Sequence, residues 1–235
     1  MNVEIWSDVV CPWCYIGKRH FEAALGDFDH AAEVTLTWRS FQLDPSAPAI
    51  SAVDPLERLA TKYGMSREQA SAAHQRVTDV AAAAGLEYHL DKSRSGNTFD
   101  AHRLLHYAAA EGKQDALKER LMAAYFCEGE AIGDHAVLAR LAGDVGLDTA
   151  EAKAILEDRK FEAEVTGDIQ DARELGITGV PFFVIDRKYG ISGAQPADLL
   201  LRALRQAWNE SHVAVELTAV ASETDAVCAD DSCAV

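Results

Sequence analysis

The sequence of 235 residues lacks the features of several large functional classes. No uninterrupted apolar run approaches the ~20 residues that a membrane-spanning helix needs. Basic residues are few, since 22 Lys and Arg stand against 38 Asp and Glu, which gives a net charge of -16. A chain this acidic repels phosphate backbones, so nucleic-acid binding is excluded as its main function. The first residues have neither a basic start nor an apolar signal core, and we therefore expect a cytoplasmic protein that does not associate with membranes.

Cysteine is also scarce, with five residues in the whole chain. In a reducing cytoplasm, so few cysteines favour redox or metal chemistry over a framework of structural disulfides. Two of them form the motif Cys11-Pro12-Trp13-Cys14, directly after a β-type run at residues 3–6. A helix that ends near Gly26 and an alternating strand at residues 34–38 are predicted to follow, which makes a βαβ opening.

The middle of the chain is rich in Ala, Leu and Glu, with helical spacing throughout. Ser66 and Gln69 have the spacing of a capping box that opens a helix closed by Gly85. Further helices are predicted over residues 114–126, 135–145 and 149–175.

β-type segments return near the end of the chain, at residues 180–185 and 191–193, and an amphipathic helix begins at Pro196. Strands at both ends with helices between them predict an α/β fold, in which one sheet domain is interrupted by an all-helical insertion. An acidic tail without Lys or Arg follows, and it contains a candidate edge strand at residues 213–217. The predicted division is residues 1–53 and 176–209 for the sheet domain, 54–175 for the insertion and 210–235 for the tail.

The Cys11–Cys14 motif carries the strongest chemical signal. At a helix start, the first sulfur lies at the N-terminus, where the partial positive charge stabilises a thiolate, so we expect an exposed Cys11 with a lowered pKa. Cys14, one turn inward, can then attack a mixed disulfide on Cys11. The alternative is half of a zinc site, which needs two more ligands. His20 and Cys127 are available, but neither forms a second cysteine pair, and no metal is expected.

Pro181 is the second signal, because proline inside a β-rich segment removes a hydrogen-bond donor from the sheet. A cis bond between Val180 and Pro181 would explain its position. The backbone of Val180 would then be exposed and able to pair with an extended peptide.

These motifs together resemble the DsbA family of thioredoxin-fold oxidoreductases. The segments 8–17 and 41–45 are most similar to its cytosolic FrnE-like branch, which is related to 2-hydroxychromene-2-carboxylate isomerases. The resemblance implies a thioredoxin fold with a DsbA-like helical insertion, Cys11 as nucleophile, Cys14 as resolving thiol and Pro181 as the cis-proline that faces them. Val180, Pro181 and Trp13 are the expected substrate-binding residues.

The expected function is that of a thiol:disulfide oxidoreductase, which reduces, forms or rearranges disulfides in proteins without a cofactor. Protein thiols and disulfides are the expected partners, together with glutathione or a thioredoxin-type reductant. Two alternatives stay open. One is a glutathione-dependent isomerase or transferase that acts on a small aromatic compound, and the other is a holdase that binds unfolded chains in an apolar groove.

Cys228 and Cys233 form a second pair near the C-terminus, which we interpret as an auxiliary redox dithiol. A metal site that includes His212, Asp230 and Asp231 fits no common zinc spacing. A third interpretation is that the two thiols have no function.

Three other residues have simpler interpretations. Cys127 is expected to be a small core residue. His102 and His106, one turn apart on a helix, are expected to be hydrogen-bonded or exposed and not to bind a metal.

Overall fold

A computed structural model describes residues 1–212 of the chain. The predicted edge strand at residues 213–217 and the pair Cys228 and Cys233 lie outside the described residues.

A mixed four-stranded sheet is built from both ends of the described chain, in the order β2-β1-β3-β4. Its strands are β1 (Asn2–Ser7), β2 (Thr35–Ser40), β3 (Phe182–Ile185) and β4 (Tyr189–Ser192). β1 pairs in parallel with β2 and antiparallel with β3, so that Ile5 lies between Trp38 and Phe183. β4 adds an antiparallel edge to β3. The parallel pair is connected through a helix, as the βαβ prediction requires.

Helix α1 (Pro12–Gly26) connects β1 to β2, and α9 (Ala197–Ser211) follows β4. The segment between β2 and β3 is helical, as predicted. Its helices are α2 (Pro55–Tyr63), α3 (Arg67–Ala83), α4 (Phe99–Ala110), α5 (Gln114–Ala123), α6 (His135–Asp144), α7 (Thr149–Glu157) and α8 (Glu162–Glu174). This is a thioredoxin fold interrupted by a helical insertion, as predicted. The division of the chain that assigns residues 54–175 to the insertion stays a prediction. Among the described residues, no helix is long and apolar enough to cross a membrane.

Local sequence signals account for several of these helices. Pro12 occupies the first turn of α1, where its missing N–H leaves no hydrogen bond unmade. The predicted capping box is present at α3, since Ser66 accepts from the backbone of Gln69 and the Gln69 side chain accepts in return. Gly85 follows α3 with a φ of 76°, which glycine adopts without steric cost.

Two predicted helices were wrong in detail. The segment predicted as one helix over 149–175 is broken, because Arg159 and Phe161 take left-handed φ values of 56° and 65°. The buried guanidinium of Arg103 donates to the carbonyls of Leu156 and Lys160 and so satisfies the backbone at this break. The helix predicted over 114–126 ends at Ala123, and a π-helical turn, Ala124–Glu128, continues it.

The described part of the chain has two main apolar cores. One lies between the sheet and helices α1 and α9 and is centred on Val3, Phe21, Phe183 and Leu204. The other fills the insertion, and the buried cysteines of the motif belong to it. The N-terminus of α1 therefore lies where the sheet domain and the insertion meet.

Candidate active site

The cysteine motif begins directly after β1. The buried residues Ser7 and Asp8 lead into Cys11, whose backbone N–H donates to the carbonyl of Asp8 at 3.2 Å. Cys11 is the N-cap of α1, and the N–H of Cys14 donates to the Cys11 carbonyl at 3.0 Å. Both cysteines are free thiols. The expected strand–motif–helix arrangement is therefore present.

Cys11 is not exposed, contrary to the prediction. It is 3% exposed and Cys14 is 0% exposed, whereas Trp13 between them is 43% exposed. The first sulfur of the motif is covered because it faces the loop before β3, where Cys11 Sγ lies 3.5 Å from the carbonyl oxygen of Val180.

The Val180–Pro181 peptide bond is cis, as predicted. Pro181 is buried and Val180 is half-buried. Helix α1 approaches this loop closely through Gly17, where an added Cβ would lie 2.9 Å from Cγ of Pro181. The structure thus brings Cys11, Val180 and Pro181 together from distant parts of the sequence.

The prediction that Cys11 has a lowered pKa was wrong. The pKa of Cys11 is well above its ordinary value, because its thiol is hydrogen-bonded to Cys14, because the sulfur is buried and because the Asp8 carboxylate is near. Burial alone would raise the pKa of Cys14 too, but the hydrogen bonds from Cys11 and Ser7 and the charge of Lys118 lower it overall. The helix N-terminus favours a thiolate, but in this buried dithiol Cys14 is the more acidic of the two thiols.

Three buried ionisable groups, Asp8, His102 and Lys118, lie behind the cysteines. Their place in the site was not predicted from the sequence. Asp8 accepts from the backbone N–H of Leu43 at 2.8 Å, and its other oxygen lies 3.3 Å from Nε2 of His102. Lys118, on α5, is 0% exposed and its Nζ donates to the carbonyl of Ser7 at 3.4 Å. Burial lowers the pKa of Lys118 to about 8, although Cys14 and Asp8 act in the opposite direction. No local motif marks these residues, because the fold alone brings them to the cysteines.

The insertion also contacts the motif through an aromatic layer. The Tyr88 hydroxyl donates to the carbonyl of Pro12 at 2.8 Å. Its ring stacks on Phe126 and Tyr15, with centroid distances of 4.7 Å and 6.2 Å. Cys127, in the π-helical turn, is half-buried against the same core, in agreement with its predicted packing role.

His102 and His106 have hydrogen-bond partners, as expected. His106 Nε2 lies 3.0 Å from the Asp168 carboxylate, and His20 Nδ1 lies 3.0 Å from the carbonyl oxygen of Gln195. Among residues 1–212, no group of three or more His, Cys, Asp or Glu side chains is arranged to hold a metal ion.

The chain has a buried dithiol at a helix start, and this dithiol faces a cis-proline loop on a thioredoxin-type sheet. These features place the chain in the class of thioredoxin-fold proteins. The chain belongs to the family of DSBA-like thioredoxin domains, whose profile matches residues 2–205. The family predicted from the sequence is confirmed.

Individual relatives agree with this assignment. The crystal structure of the probable DsbA oxidoreductase SCO1869 from Streptomyces coelicolor is 44% identical, with a TM-score of 0.86, and the match covers 100% of this chain and 99% of that one. The uncharacterised protein YwbO of Bacillus subtilis is 30% identical over 87% of this chain and 96% of its own length. The cytosolic disulfide reductase DsbM from Pseudomonas aeruginosa, solved with GSH, has a TM-score of 0.63 at 18% identity and covers 88% of this chain and 98% of its own. The last similarity concerns the fold alone.

Proposed function

We propose that this protein is a thiol:disulfide oxidoreductase of protein substrates, with Cys11 as nucleophile and Cys14 as resolving thiol. The contact of Cys11 Sγ with the Val180 carbonyl is the observation that carries this assignment. It puts Cys11 on the side of the loop where an extended peptide would pair, and Cys14 is fully buried behind it.

The hydrogen bond between the two thiols supports a simple first step. As Cys11 attacks a substrate disulfide, its proton passes to the thiolate of Cys14, and one substrate sulfur leaves as a thiolate. Cys14 then loses its proton and attacks Cys11 Sγ, which releases the second substrate thiolate and leaves a Cys11–Cys14 disulfide. Two electrons pass from the protein to the substrate, and the reverse sequence forms a disulfide.

We assign substrate binding to Val180, Pro181 and Trp13. The Val180 backbone would pair with the peptide that carries the disulfide. The exposed indole of Trp13, beside the buried sulfurs, offers apolar contact area at the mouth of the site. The dithiol holds the two electrons itself, so the proposed reaction needs no metal or organic cofactor.

Glutathione or a thioredoxin-type protein is the proposed source of electrons that restores the dithiol. The structure of DsbM with GSH supports this choice through the shared fold. We further propose that the chain belongs to the FrnE-like branch and acts in the cytoplasm.

Cysteine variants test the proposed function. We expect Cys11→Ser to abolish reduction of insulin disulfides and Cys14→Ser to accumulate mixed disulfides with protein partners. Cys127→Ser is the matched control, because Cys127 lies outside the motif, and it should keep full activity. Undiminished reduction by Cys11→Ser would contradict the proposal. Full turnover by Cys14→Ser on a small aromatic substrate would favour the isomerase alternative, and suppression of aggregation by a variant without both cysteines would favour the holdase.

We also propose that Cys228 and Cys233 form an auxiliary dithiol that exchanges with Cys11. The ring that their disulfide would close is small, so it would gain little stability from chain entropy and would be open to exchange. Mass spectrometry of Cys14→Ser under mild oxidation should find Cys11 linked to Cys228 or Cys233. A chain truncated after Asn209 that keeps both rate and potential would contradict this role.

A further inference from the structure

Lys118 is buried without the partner that a buried ammonium group ordinarily has. Among residues 1–212, its Nζ forms no salt bridge, and the hydrogen bond to the Ser7 carbonyl is long at 3.4 Å. The indole ring of Trp38 covers it, with its centroid 5.4 Å from Nζ. Burying a charge in this way costs free energy. Such a group near a reactive centre is a candidate for a functional role.

Lys118 lies beside the cysteines, because Leu117 and Leu121, its neighbours on α5, belong to the same buried core as Cys11 and Cys14. Of the acidic groups around Lys118, Cys14 has the strongest electrostatic effect, ahead of Asp8 and Cys11. Lys118 in turn favours the thiolate of Cys14. Lys118 lies on α5 of the insertion, so the insertion contributes a charge to the chemistry of the sheet domain.

We propose that Lys118 is a positioning residue for the resolving step: its buried ammonium stabilises the negative charge on Cys14 Sγ when Cys14 attacks the mixed disulfide on Cys11. This inference rests on the proposed function and assigns a further residue to it. In the mixed disulfide, Cys11 no longer has a thiol to donate, so Cys14 loses the hydrogen bond that stabilised its thiolate. The Ser7 hydroxyl and the charge of Lys118 then remain to favour ionisation of Cys14, and Lys118 is the charged group of the two.

The other charged groups around this pair act more weakly or on different atoms. Asp8 approaches from the loop before α1 and His102 from α4, where Asp8 and His102 contact each other. Burial lowers the pKa of His102, so its imidazole is neutral near pH 7. The positive charge of Lys18 on α1 lowers the pKa of Lys118, and the hydroxyl of Tyr88 donates to the Pro12 carbonyl, next to Cys11 in the chain.

The two steps can be separated with dithiobis-nitrobenzoate, an aromatic disulfide that releases a yellow thiolate. Cys11 Sγ attacks one sulfur of the reagent, the S–S bond breaks and the first nitrothiobenzoate leaves. Cys14 then loses its proton to solvent, attacks Cys11 Sγ and expels the second nitrothiobenzoate. Stopped-flow absorbance of the full-length protein resolves the first release, which reports on Cys11, from the second, which reports on Cys14.

We expect Lys118→Met to slow the second release about tenfold near pH 7, as a rise of one unit in the pKa of Cys14 would. The slowing should disappear near pH 10, where Cys14 ionises without help. Lys118→Arg, which keeps the charge, should restore the rate near pH 7. Lys62→Met, on the exposed face of α2, is the control, and its pH profile should follow that of the unmodified protein.

The inference would be overturned if Lys118→Met left the rate of the second nitrothiobenzoate release unchanged or slowed it equally at every pH. Either result would leave the proposed function intact. A first release that does not occur at Cys11 would instead overturn the proposed function. If Lys118→Met does not fold, Lys118→Gln carries the same test, since the amide is neutral but can still donate to the Ser7 carbonyl.

Discussion

Helices α1 and α5 each bury a lysine, and the surroundings of the two ammonium groups differ. Lys18 on α1 is 2% exposed and lies among three carboxylates, with Asp115 at 3.3 Å, Glu119 at 3.0 Å and Glu22 in closer contact. Burial alone would lower the pKa of Lys18, but the hydrogen bond to Glu22 and the charges of all three carboxylates raise it. Within the described residues, Lys118 on α5 has no such partners, and its pKa falls to about 8.

The difference in surroundings indicates different roles. Lys18 stabilises the fold, whereas Lys118 contributes to the chemistry of the site. Lys18 connects α1 to α5 through charges that it neutralises, so its burial is compensated. The burial of Lys118 is compensated in part by a thiolate, whose charge changes during each turn of the proposed cycle. A buried cation without a carboxylate partner is weak evidence for stability and stronger evidence for chemistry.

The largest effect on stability is expected from Lys18→Met. Removing the ammonium leaves three carboxylates facing one another, which raises the free energy of the folded state. We expect the free energy of unfolding to fall by about 2 kcal/mol, less than for a fully enclosed pair because water can reach the carboxylates. Urea unfolding near pH 7 measures this change, with Lys62→Met on the exposed face of α2 as control. An unchanged midpoint would mean that the carboxylate cluster does not contribute to stability.

A smaller effect of opposite sign is expected from Lys118→Met. Methionine fills a similar volume without a charge, and replacing a buried charge by an apolar side chain is often neutral or stabilising. We expect the free energy of unfolding near pH 7 to rise by about 1 kcal/mol, while the resolving step becomes slower. Urea unfolding of the reduced protein measures the gain. A loss of several kcal/mol would show that Lys118 is a structural residue like Lys18.

The features that depend on contacts within a few residues could be predicted from the sequence. Pro12 at the first turn of α1 and the capping box at Ser66 each act within a few residues, so their effects could be predicted. The same holds for Pro181, which had to be accommodated within a β-type segment, and its cis bond followed.

The charges of the site could not be predicted in this way, because they depend on contacts between distant segments. Lys118 reaches the cysteines only when the insertion packs on the N-terminus of α1, and no motif near residue 118 indicates this contact. The predicted pKa of Cys11 was wrong for the same reason, since it considered the helix terminus and omitted the hydrogen bond to Cys14, the burial of the sulfur and the charge of Asp8. The break between α7 and α8 was missed because Arg159 and Phe161, unlike glycine, rarely take a left-handed conformation.

The smallest effect is the pH dependence of the difference between the unmodified protein and Lys118→Met. The pKa of Lys118 is about 8 in the folded protein and 10.5 is its ordinary value. Between these two values the unfolded chain binds a proton that the folded protein does not, so the stability of the unmodified protein rises with pH in this window. The cost of the buried charge is therefore complete below about pH 8 and disappears towards pH 10.5. We expect the advantage of Lys118→Met, about 1 kcal/mol near pH 7, to shrink as the pH rises and to be lost before pH 10.

Urea unfolding of both proteins across this range measures the trend, and only the difference between them is interpreted, because tyrosines and other lysines titrate equally in both. The same pair of proteins in a Cys14→Ser background is the control for the thiolate, and the trend should keep its sign there, because burial of Lys118 remains. A constant difference across the range would mean that Lys118 keeps its proton in the folded protein. In that case the ammonium is as well compensated as that of Lys18, and the contrast between the two lysines would be lost.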